Sequence, residues 1–160
     1  MTRSAPLAVV DCVVFLQALL SDRGPAGALL RHAEDGGVII LITPVILDEL
    51  AKTLGKPRLR AKNPQLTDGV VTQYLERIRS VGIVFEPVPR IFRYERDVDD
   101  EPYVNLAIAA GADYLVSRDK DLLDLMDEST PEGKDFRGRF PELRIIEPVA
   151  FLRALADAER

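Results

Sequence analysis

Short apolar runs rich in β-branched residues recur along this chain, and segments with helical periodicity separate them. The runs are continuous rather than alternating, which indicates strands that are buried on both faces. They occupy residues 7–12, 38–43, 83–88, 113–118 and 144–148. Alternation of such strands with helices is typical of a parallel sheet with helices packed on both sides. We therefore expect a three-layer α/β/α fold with a mostly parallel sheet of about five strands.

The segments between these runs carry helix signals such as periodic apolar residues, N-capping side chains and terminal glycines. Helices are predicted over residues 24–35, 44–55, 67–82, 101–111 and 148–160, with a further helix beginning after residue 119. Residues 56–65 are polar and basic, and predict a loop or a short helix. Residues 129–143 predict a polar loop, long enough to indicate mobility or function. Residues 93–100 predict a charged loop.

Length and composition limit the classes of protein to consider. A chain of 160 residues with 47% hydrophobic and 29% charged residues fits one globular domain over residues 1–160. Its one cysteine and one histidine exclude an internal disulfide and a structural zinc site, and they leave little basis for Ser-His-Asp catalysis. Asp11 interrupts the apolar stretch near the start, and no run of about 18 apolar residues follows. We expect a cytoplasmic protein without a membrane span.

Acidic residues recur at the places where a parallel sheet binds ligands, outside the carboxyl ends of its strands. They are Asp11 after the first strand, Glu49 in the helix after the second, Asp100 before the helix that leads to the fourth, and Asp119 and Asp121 after the fourth. Carboxylates that converge in a cleft repel one another unless a cation compensates them, and oxygen ligands suit Mg²⁺ or Mn²⁺. Such a site fits hydrolysis of a phosphodiester. Helix capping and solvent exposure are the ordinary explanations for each acid taken alone.

Three segments resemble the motifs of PIN-domain proteins. VVDCVVFLQALLS (9–21) resembles their first strand and helix, and TPVILDELAKTLGKPRLR (43–60) is similar to their second motif. DVDDEPYVNLAIAAGADYLVSRDKDLL (97–123) resembles the third and fourth motifs of the subgroup that forms the toxin components of toxin–antitoxin systems. The resemblance spans roughly residues 7–150.

The resemblance implies a Rossmann-like sheet and a Mg²⁺- or Mn²⁺-dependent ribonuclease. Carried over by position, the acidic quartet is Asp11, Glu49, Asp100 and Asp119. The resemblance implies that Asp11, Asp100 and Asp119 hold the metal, with Asp121 as an additional ligand, and that Glu49 completes the metal shell or orients the attacking water. Asp100 is preferred over its acidic neighbours because of its spacing to the alanine- and glycine-rich end of the third motif. An RNA substrate, a cognate antitoxin protein and a homodimer are likewise implied by the resemblance.

Candidate substrate-binding residues are Ser117, Arg118, Arg58 and Arg60. Ser117 occupies the small hydroxyl position that the family places just before the fourth acid. The arginines lie beside the acidic positions and could contact phosphates of an RNA strand. A solvated surface explains the same arginines equally well.

One position departs from the family pattern. Val13 stands where PIN domains usually carry an asparagine that supports the site. Two alternatives therefore stay open: a non-catalytic PIN module that binds RNA or protein, and a phosphatase with an aspartyl nucleophile at Asp11. Phosphatases of that kind usually carry a second aspartate two residues later, which is also the position of Val13.

Overall fold

The computed structural model describes residues 5–159 and contains a five-stranded sheet in which every pairing is parallel. The sheet order is β3-β2-β1-β4-β5. The strands are β1 (Leu7–Val10), β2 (Ile39–Ile42), β3 (Gly82–Val84), β4 (Tyr114–Val116) and β5 (Arg144–Ile146). The predicted three-layer α/β/α fold with about five parallel strands is confirmed.

Helices lie between consecutive strands of the chain, and a last helix follows β5. They are α1 (Cys12–Leu20), α2 (Pro25–Glu34), α3 (Pro44–Leu54), α4 (Pro57–Lys62), α5 (Asp68–Val81), α6 (Glu101–Ala110), α7 (Lys120–Leu123), α8 (Pro131–Arg139) and α9 (Pro148–Ala158). Short 3₁₀ turns cover Val98–Asp100 and Asp124–Met126. In the described part of the chain, no helix is long and apolar enough to cross a membrane.

The central strand β1 determines where a ligand site can form. It pairs with β2 on one side and with β4 on the other. The first half of the chain therefore adds strands on one side of β1, and the second half adds them on the opposite side. Open parallel sheets bind ligands at such a reversal of strand order, outside the carboxyl ends of the strands. β1 ends at Val10, directly before Asp11, and β4 ends at Val116, directly before Ser117.

The edge strand β3 is shorter and more exposed than the sequence predicts. Ile83 and Val84 are each about half exposed, and pairing stops after Val84 although the apolar run continues to residue 88. Proline cannot donate to a strand ladder, and Pro87 and Pro89 follow closely. The chain therefore leaves the sheet as an extended segment.

Two buried polar residues of α6 hold this extended segment in place. The Asn105 side chain accepts hydrogen bonds from the backbone N–H groups of Ile91 and Phe92 and donates one to the Phe92 carbonyl, at 2.7–3.0 Å. Glu101 accepts from the backbone N–H of Tyr94 at 2.8 Å. These bonds fix the path of the chain just before the acidic 3₁₀ turn, and thus the position of that turn.

The prediction of a long polar loop over residues 129–143 is wrong, because α8 occupies most of it. Thr130 caps this helix by accepting a hydrogen bond from the backbone N–H of Gly133, and Pro131 takes its first position. Phe136 is completely buried and packs edge-on against Phe92, with 5.2 Å between the ring centroids. One deeply buried aromatic side chain stabilises a helix whose other residues are mostly polar. The sequence does not predict this helix because its composition is that of a loop.

Candidate metal centre

Ser117, at the end of β4, connects Asp11 at the end of β1 with Asp119 through hydrogen bonds. Asp11 caps α1 by accepting a hydrogen bond from the backbone N–H of Val14 at 3.0 Å. The Ser117 hydroxyl donates to the other Asp11 oxygen and accepts a hydrogen bond from the backbone N–H of Asp119 at 2.9 Å. Because Ser117 has no exposed surface, it holds Asp11 and Asp119 in place rather than facing solvent.

Four aspartates converge beside this link. Among the described residues, Asp97, Asp100, Asp119 and Asp121 each offer a carboxylate oxygen, and these oxygens all lie within 4.8 Å of one another. Asp97 begins the 3₁₀ turn that ends at Asp100, and Asp119 caps α7 by accepting from the backbone N–H of Asp121 at 2.9 Å. The 3₁₀ turn and its cap thus supply Asp97 and Asp100, and the start of α7 supplies Asp119 and Asp121.

Asp100 is the most strongly perturbed of these acids. It is 8% exposed, and its buried Oδ2 atom has no hydrogen-bond partner among the residues that the structure describes. Burial, followed by the neighbouring carboxylates of Asp119 and Asp97, raises the pKa of Asp100 from 3.8 to about 8. A buried carboxylate oxygen without a donor, surrounded by like charge, is unfavourable unless a cation compensates it.

The donor set therefore fits a divalent cation. Four carboxylates supply oxygen ligands only, which Mg²⁺ and Mn²⁺ prefer over the nitrogen and sulfur ligands of zinc sites. Burial also raises the pKa of Asp11, while its hydrogen bonds from Ser117 and Val14 act in the opposite direction. Within the described residues, the protein thus supplies hydrogen-bond donors to both oxygens of Asp11 but none to Oδ2 of Asp100.

A basic side chain closes one side of the cluster. Arg96 Nε lies 2.5 Å from Asp121 Oδ1, and its Nη2 atom lies 2.8 Å from Asp124 Oδ2. Tyr94 donates its hydroxyl to the backbone carbonyl of Asp121 at 2.6 Å. Arg96 neutralises part of the charge of Asp121 and connects the extended segment before the 3₁₀ turn to α7.

Glu49 lies outside the four-aspartate cluster. It is half-buried on α3 and accepts a hydrogen bond from the Tyr103 hydroxyl at 2.7 Å. Burial and this hydrogen bond to the carboxylate raise the pKa of Tyr103, and the charges of Glu49 and Asp11 act in the same direction. Both carboxylates therefore act on Tyr103, and the hydrogen bond places Glu49 beside it.

The arginines predicted to bind substrate differ in their surroundings. Arg58 and Arg118 are exposed. Arg60 is half-buried, donates to the Leu54 carbonyl at 2.9 Å and forms an ion pair with Asp68. Arg60 is therefore engaged in holding α4 against its neighbours, whereas Arg58 and Arg118 have solvent-facing side chains.

A cavity of about 590 Å³ adjoins the acidic turn. Prolines and valines form most of its wall, among them Val45 and Val98, and Val98 lies between Asp97 and Asp100 in the chain. The polar residues Glu101 and Asn105 also line it, but both are engaged with the extended segment described above.

The structure brings together most of the acids that sequence reasoning selected and adds one that it missed. Asp100, Asp119 and Asp121 share the cluster, Asp11 borders it through Ser117, and Glu49 stands apart. The missed residue is Asp97. Its signal is the spacing Asp-x-x-Asp with Asp100, because residues three apart lie on the same side of a 3₁₀ turn.

Val13 is 52% exposed in the first turn of α1, two residues after Asp11. The valine side chain offers no hydrogen bond to the acids, although its backbone N–H contributes one to Asp11. The support for Asp11 comes instead from Ser117 and from the backbone of α1.

Comparison with known proteins identifies the family. The profile of the PIN domain matches residues 8–121, which include Asp11, Glu49 and the four aspartates of the cluster. The chain belongs to the PIN-domain family. PIN domains are generally metal-dependent nucleases, and the acidic cluster agrees with that class.

Two further proteins are similar to this chain. The uncharacterized protein MJ1680 of Methanocaldococcus jannaschii is 29% identical over 121 residues, which is 76% of each chain. The crystal structure of PAE2754 from Pyrobaculum aerophilum superposes with a TM-score of 0.59 at 18% identity, covering 95% of this chain and 96% of that one. This second likeness supports the fold.

Proposed function

We propose that the protein is a metal-dependent endoribonuclease that hydrolyses phosphodiester bonds of RNA. The observation that carries this proposal is the buried Asp100 oxygen, which has no hydrogen-bond partner within residues 5–159 and lies inside a cluster of four aspartates. Membership of a nuclease family and the position of the cluster at the reversal of strand order support it.

Asp97, Asp100, Asp119 and Asp121 are the residues that would hold Mg²⁺ or Mn²⁺. When bound, such an ion lowers the pKa of a water molecule and neutralises charge on a phosphate. Asp11 keeps Asp119 in position through Ser117 and adds negative charge beside the cluster.

Glu49 is the proposed proton acceptor for the attacking water. Its Oε2 atom is held by the Tyr103 hydroxyl, which orients the carboxylate and leaves its other oxygen outside this hydrogen bond. Arg118 is exposed directly before Asp119, so its guanidinium is free to pair with a phosphate oxygen of the substrate.

The phosphatase alternative receives no support from the surroundings of Asp11. A nucleophilic carboxylate needs an oxygen that can reach a phosphorus atom. Asp11 is buried, and both its oxygens accept hydrogen bonds, from Val14 and from Ser117. The non-catalytic alternative rests on Val13 and is separated from the nuclease by the experiment below.

A cleavage assay tests the proposed function. A fluorescently labelled RNA is incubated with Mn²⁺ and either the wild type, Asp119→Asn, or Asp135→Asn as a control on the exposed face of α8. We expect internal cleavage by the wild type and the control, and a loss of roughly a hundredfold or more for Asp119→Asn. Cleavage that survives both EDTA and Asp119→Asn would contradict the proposal. RNA binding without cleavage would instead favour the non-catalytic module.

Four further features remain predictions from the resemblance and the composition. They are a role as the toxin of a toxin–antitoxin pair, a cognate antitoxin, a homodimer and a cytoplasmic location. A neighbouring reading frame whose product blocks RNA cleavage would be the direct support for the toxin role.

A further inference from the structure

The cavity of about 590 Å³ beside the acidic turn has rigid apolar walls. Four prolines and three valines supply most of its lining, from the start of α3, the extended segment after β3, the 3₁₀ turn and the start of α6. Proline rings and β-branched side chains have few conformations, so the cavity is formed before a ligand enters. A flat apolar group therefore binds there without the entropic cost of ordering the walls.

Two side chains of opposite charge, Glu86 and Arg90, also line this cavity. Glu86 is exposed and takes part in no ion pair within residues 5–159. Arg90 pairs with Glu101 through its Nε and Nη2 atoms, at 2.6 and 3.2 Å, which leaves Nη1 outside the pair. The lining thus offers carboxylate oxygens that accept hydrogen bonds and a guanidinium nitrogen that donates them.

The cavity adjoins acids on two elements of the site. In its wall, Val45 lies one helical turn before Glu49 on α3, so the two side chains share one side of that helix. Val98, also in the wall, belongs to the 3₁₀ turn that ends at Asp100. A group in the cavity therefore lies next to the turn that supplies Asp100 and along the side of α3 that carries Glu49.

We propose that this cavity binds a guanine base of the RNA, next to the scissile phosphate. The proposal rests on the proposed function and adds a base preference to it. The faces of the base lie against prolines and valines, since unpaired bases bind to apolar surfaces through their faces. Guanine carries N1–H and N2–H groups side by side, which match the two oxygens of the Glu86 carboxylate. Its O6 and N7 atoms accept hydrogen bonds from an arginine such as Arg90.

The other bases match these two charged side chains less well. Adenine and cytosine each present an amino group beside an unprotonated ring nitrogen, which a carboxylate repels. Uracil presents a single N–H group between two carbonyl oxygens, which a carboxylate also repels. Loss of a paired hydrogen bond to a base commonly lowers affinity by about tenfold.

Binding is measured by fluorescence anisotropy in EDTA, so that cleavage plays no part. The probes are labelled oligoadenylates of equal length: one unmodified, one with a single central guanosine, and one with inosine at that place. Inosine keeps O6 and N7 but lacks the N2 amino group. The test protein is Glu86→Gln, which keeps the size of the side chain and removes its charge. The control is Glu95→Gln, at an exposed glutamate further along the same segment and outside the cavity lining.

A second variant fills the cavity without changing its charge. Val45→Phe enlarges a wall residue that is 65% exposed, so the buried core is left intact. Circular dichroism and the affinity for Mn²⁺ check that each variant keeps its fold and its acidic site.

We expect the wild type and Glu95→Gln to bind the guanosine probe about tenfold more tightly than the unmodified oligoadenylate, with the inosine probe between them. Glu86→Gln should reduce this preference to less than about threefold, because the paired hydrogen bonds to the carboxylate are lost. Val45→Phe should lower the affinity for the guanosine probe to that for the oligoadenylate.

Equal affinity of the wild type for all the probes, or a guanosine preference that survives Glu86→Gln, would overturn the proposal. Equal affinity would leave the apolar cavity to a side chain of a partner protein instead. Failure of the wild type to cleave RNA would remove the proposed nuclease function, whereas the guanosine preference, measured without metal, would still be interpretable.

Discussion

The hydroxyl of Ser117 donates a hydrogen bond to the carboxylate of Asp11 and so ties the end of β4 to the end of β1. The same hydroxyl accepts the backbone N–H of Asp119, which caps α7. One small buried side chain therefore fixes two acids that come from distant parts of the sequence. In metal sites, partners that orient ligand side chains commonly change affinity by ten- to a hundredfold when they are removed.

Ser117→Ala should therefore weaken Mn²⁺ binding by about tenfold. The substitution leaves Asp11 without its donor and the Asp119 backbone without its acceptor, both in buried surroundings. We also expect the free energy of unfolding to fall by about 1–3 kcal/mol, measured by urea denaturation without metal. Ser80→Ala, at an exposed serine on α5, is the matched control. Unchanged Mn²⁺ affinity in Ser117→Ala would show that the link does not support the metal centre.

The stability of the metal-free protein should depend on pH through Asp100. Its pKa rises from 3.8 in the unfolded chain to about 8 in the folded protein. Between these two pH values the folded state keeps a proton that the unfolded state has released, and this proton binding stabilises the folded state. The stabilisation is fully present below about pH 4 and is lost as the pH rises to about 8. The free energy of unfolding should therefore fall between pH 5 and pH 8 in EDTA.

Asp100→Asn is the test of this pH dependence, because asparagine cannot lose a proton. The variant should be more stable than the wild type at pH 8, and the difference should shrink toward pH 5. Carboxylates with lowered pKa values, such as Glu34 and Asp124, titrate below this range and are present in both proteins. A wild type and variant with parallel stability curves over this range would contradict the assignment of Asp100.

Tyr103→Phe should separate orientation of Glu49 from metal binding. The substitution keeps the buried ring and removes the hydroxyl that donates to Glu49. Because Glu49 is outside the four-aspartate cluster, we expect Mn²⁺ affinity within about threefold of the wild type and kcat for RNA cleavage lower by about tenfold or more. Tyr114→Phe, at a half-buried tyrosine of β4, is the control. A loss of metal affinity that matches the loss of kcat would place Glu49 among the ligands instead.

Much of this architecture could be predicted from the sequence because its signals are local. Runs of β-branched residues mark the strands, and the acids at their carboxyl ends converge as a consequence of parallel pairing. Asp97 could not be placed in the same way. Its position depends on the extended segment that Asn105 and Glu101 hold by hydrogen bonds from another element. Contacts between residues that are distant in the sequence leave little trace in local periodicity.

The sequence does not predict α8 because a contact with Phe92, which is distant in the sequence, stabilises it. Phe136→Ala tests this stabilisation. Phe136 is fully buried against Phe92 and Phe140. Removing the ring should lower the free energy of unfolding by about 3–5 kcal/mol, as for other buried aromatic residues. Lys134→Ala, on the exposed side of the same helix, should change it by less than about 0.5 kcal/mol. If Phe136→Ala costs no more than Lys134→Ala in urea denaturation, residues 131–139 do not form a packed helix in solution.

The most direct test of the metal centre is a calorimetric titration of Mn²⁺ into the wild type and into Asp100→Asn. We expect saturable binding in the wild type and loss of that binding in the variant, with both proteins folded by circular dichroism. Asp135→Asn, which removes one exposed carboxylate elsewhere, should bind like the wild type. Absence of saturable binding in the folded wild type, or equal binding in Asp100→Asn, would contradict the assignment of the four-aspartate cluster as a metal site.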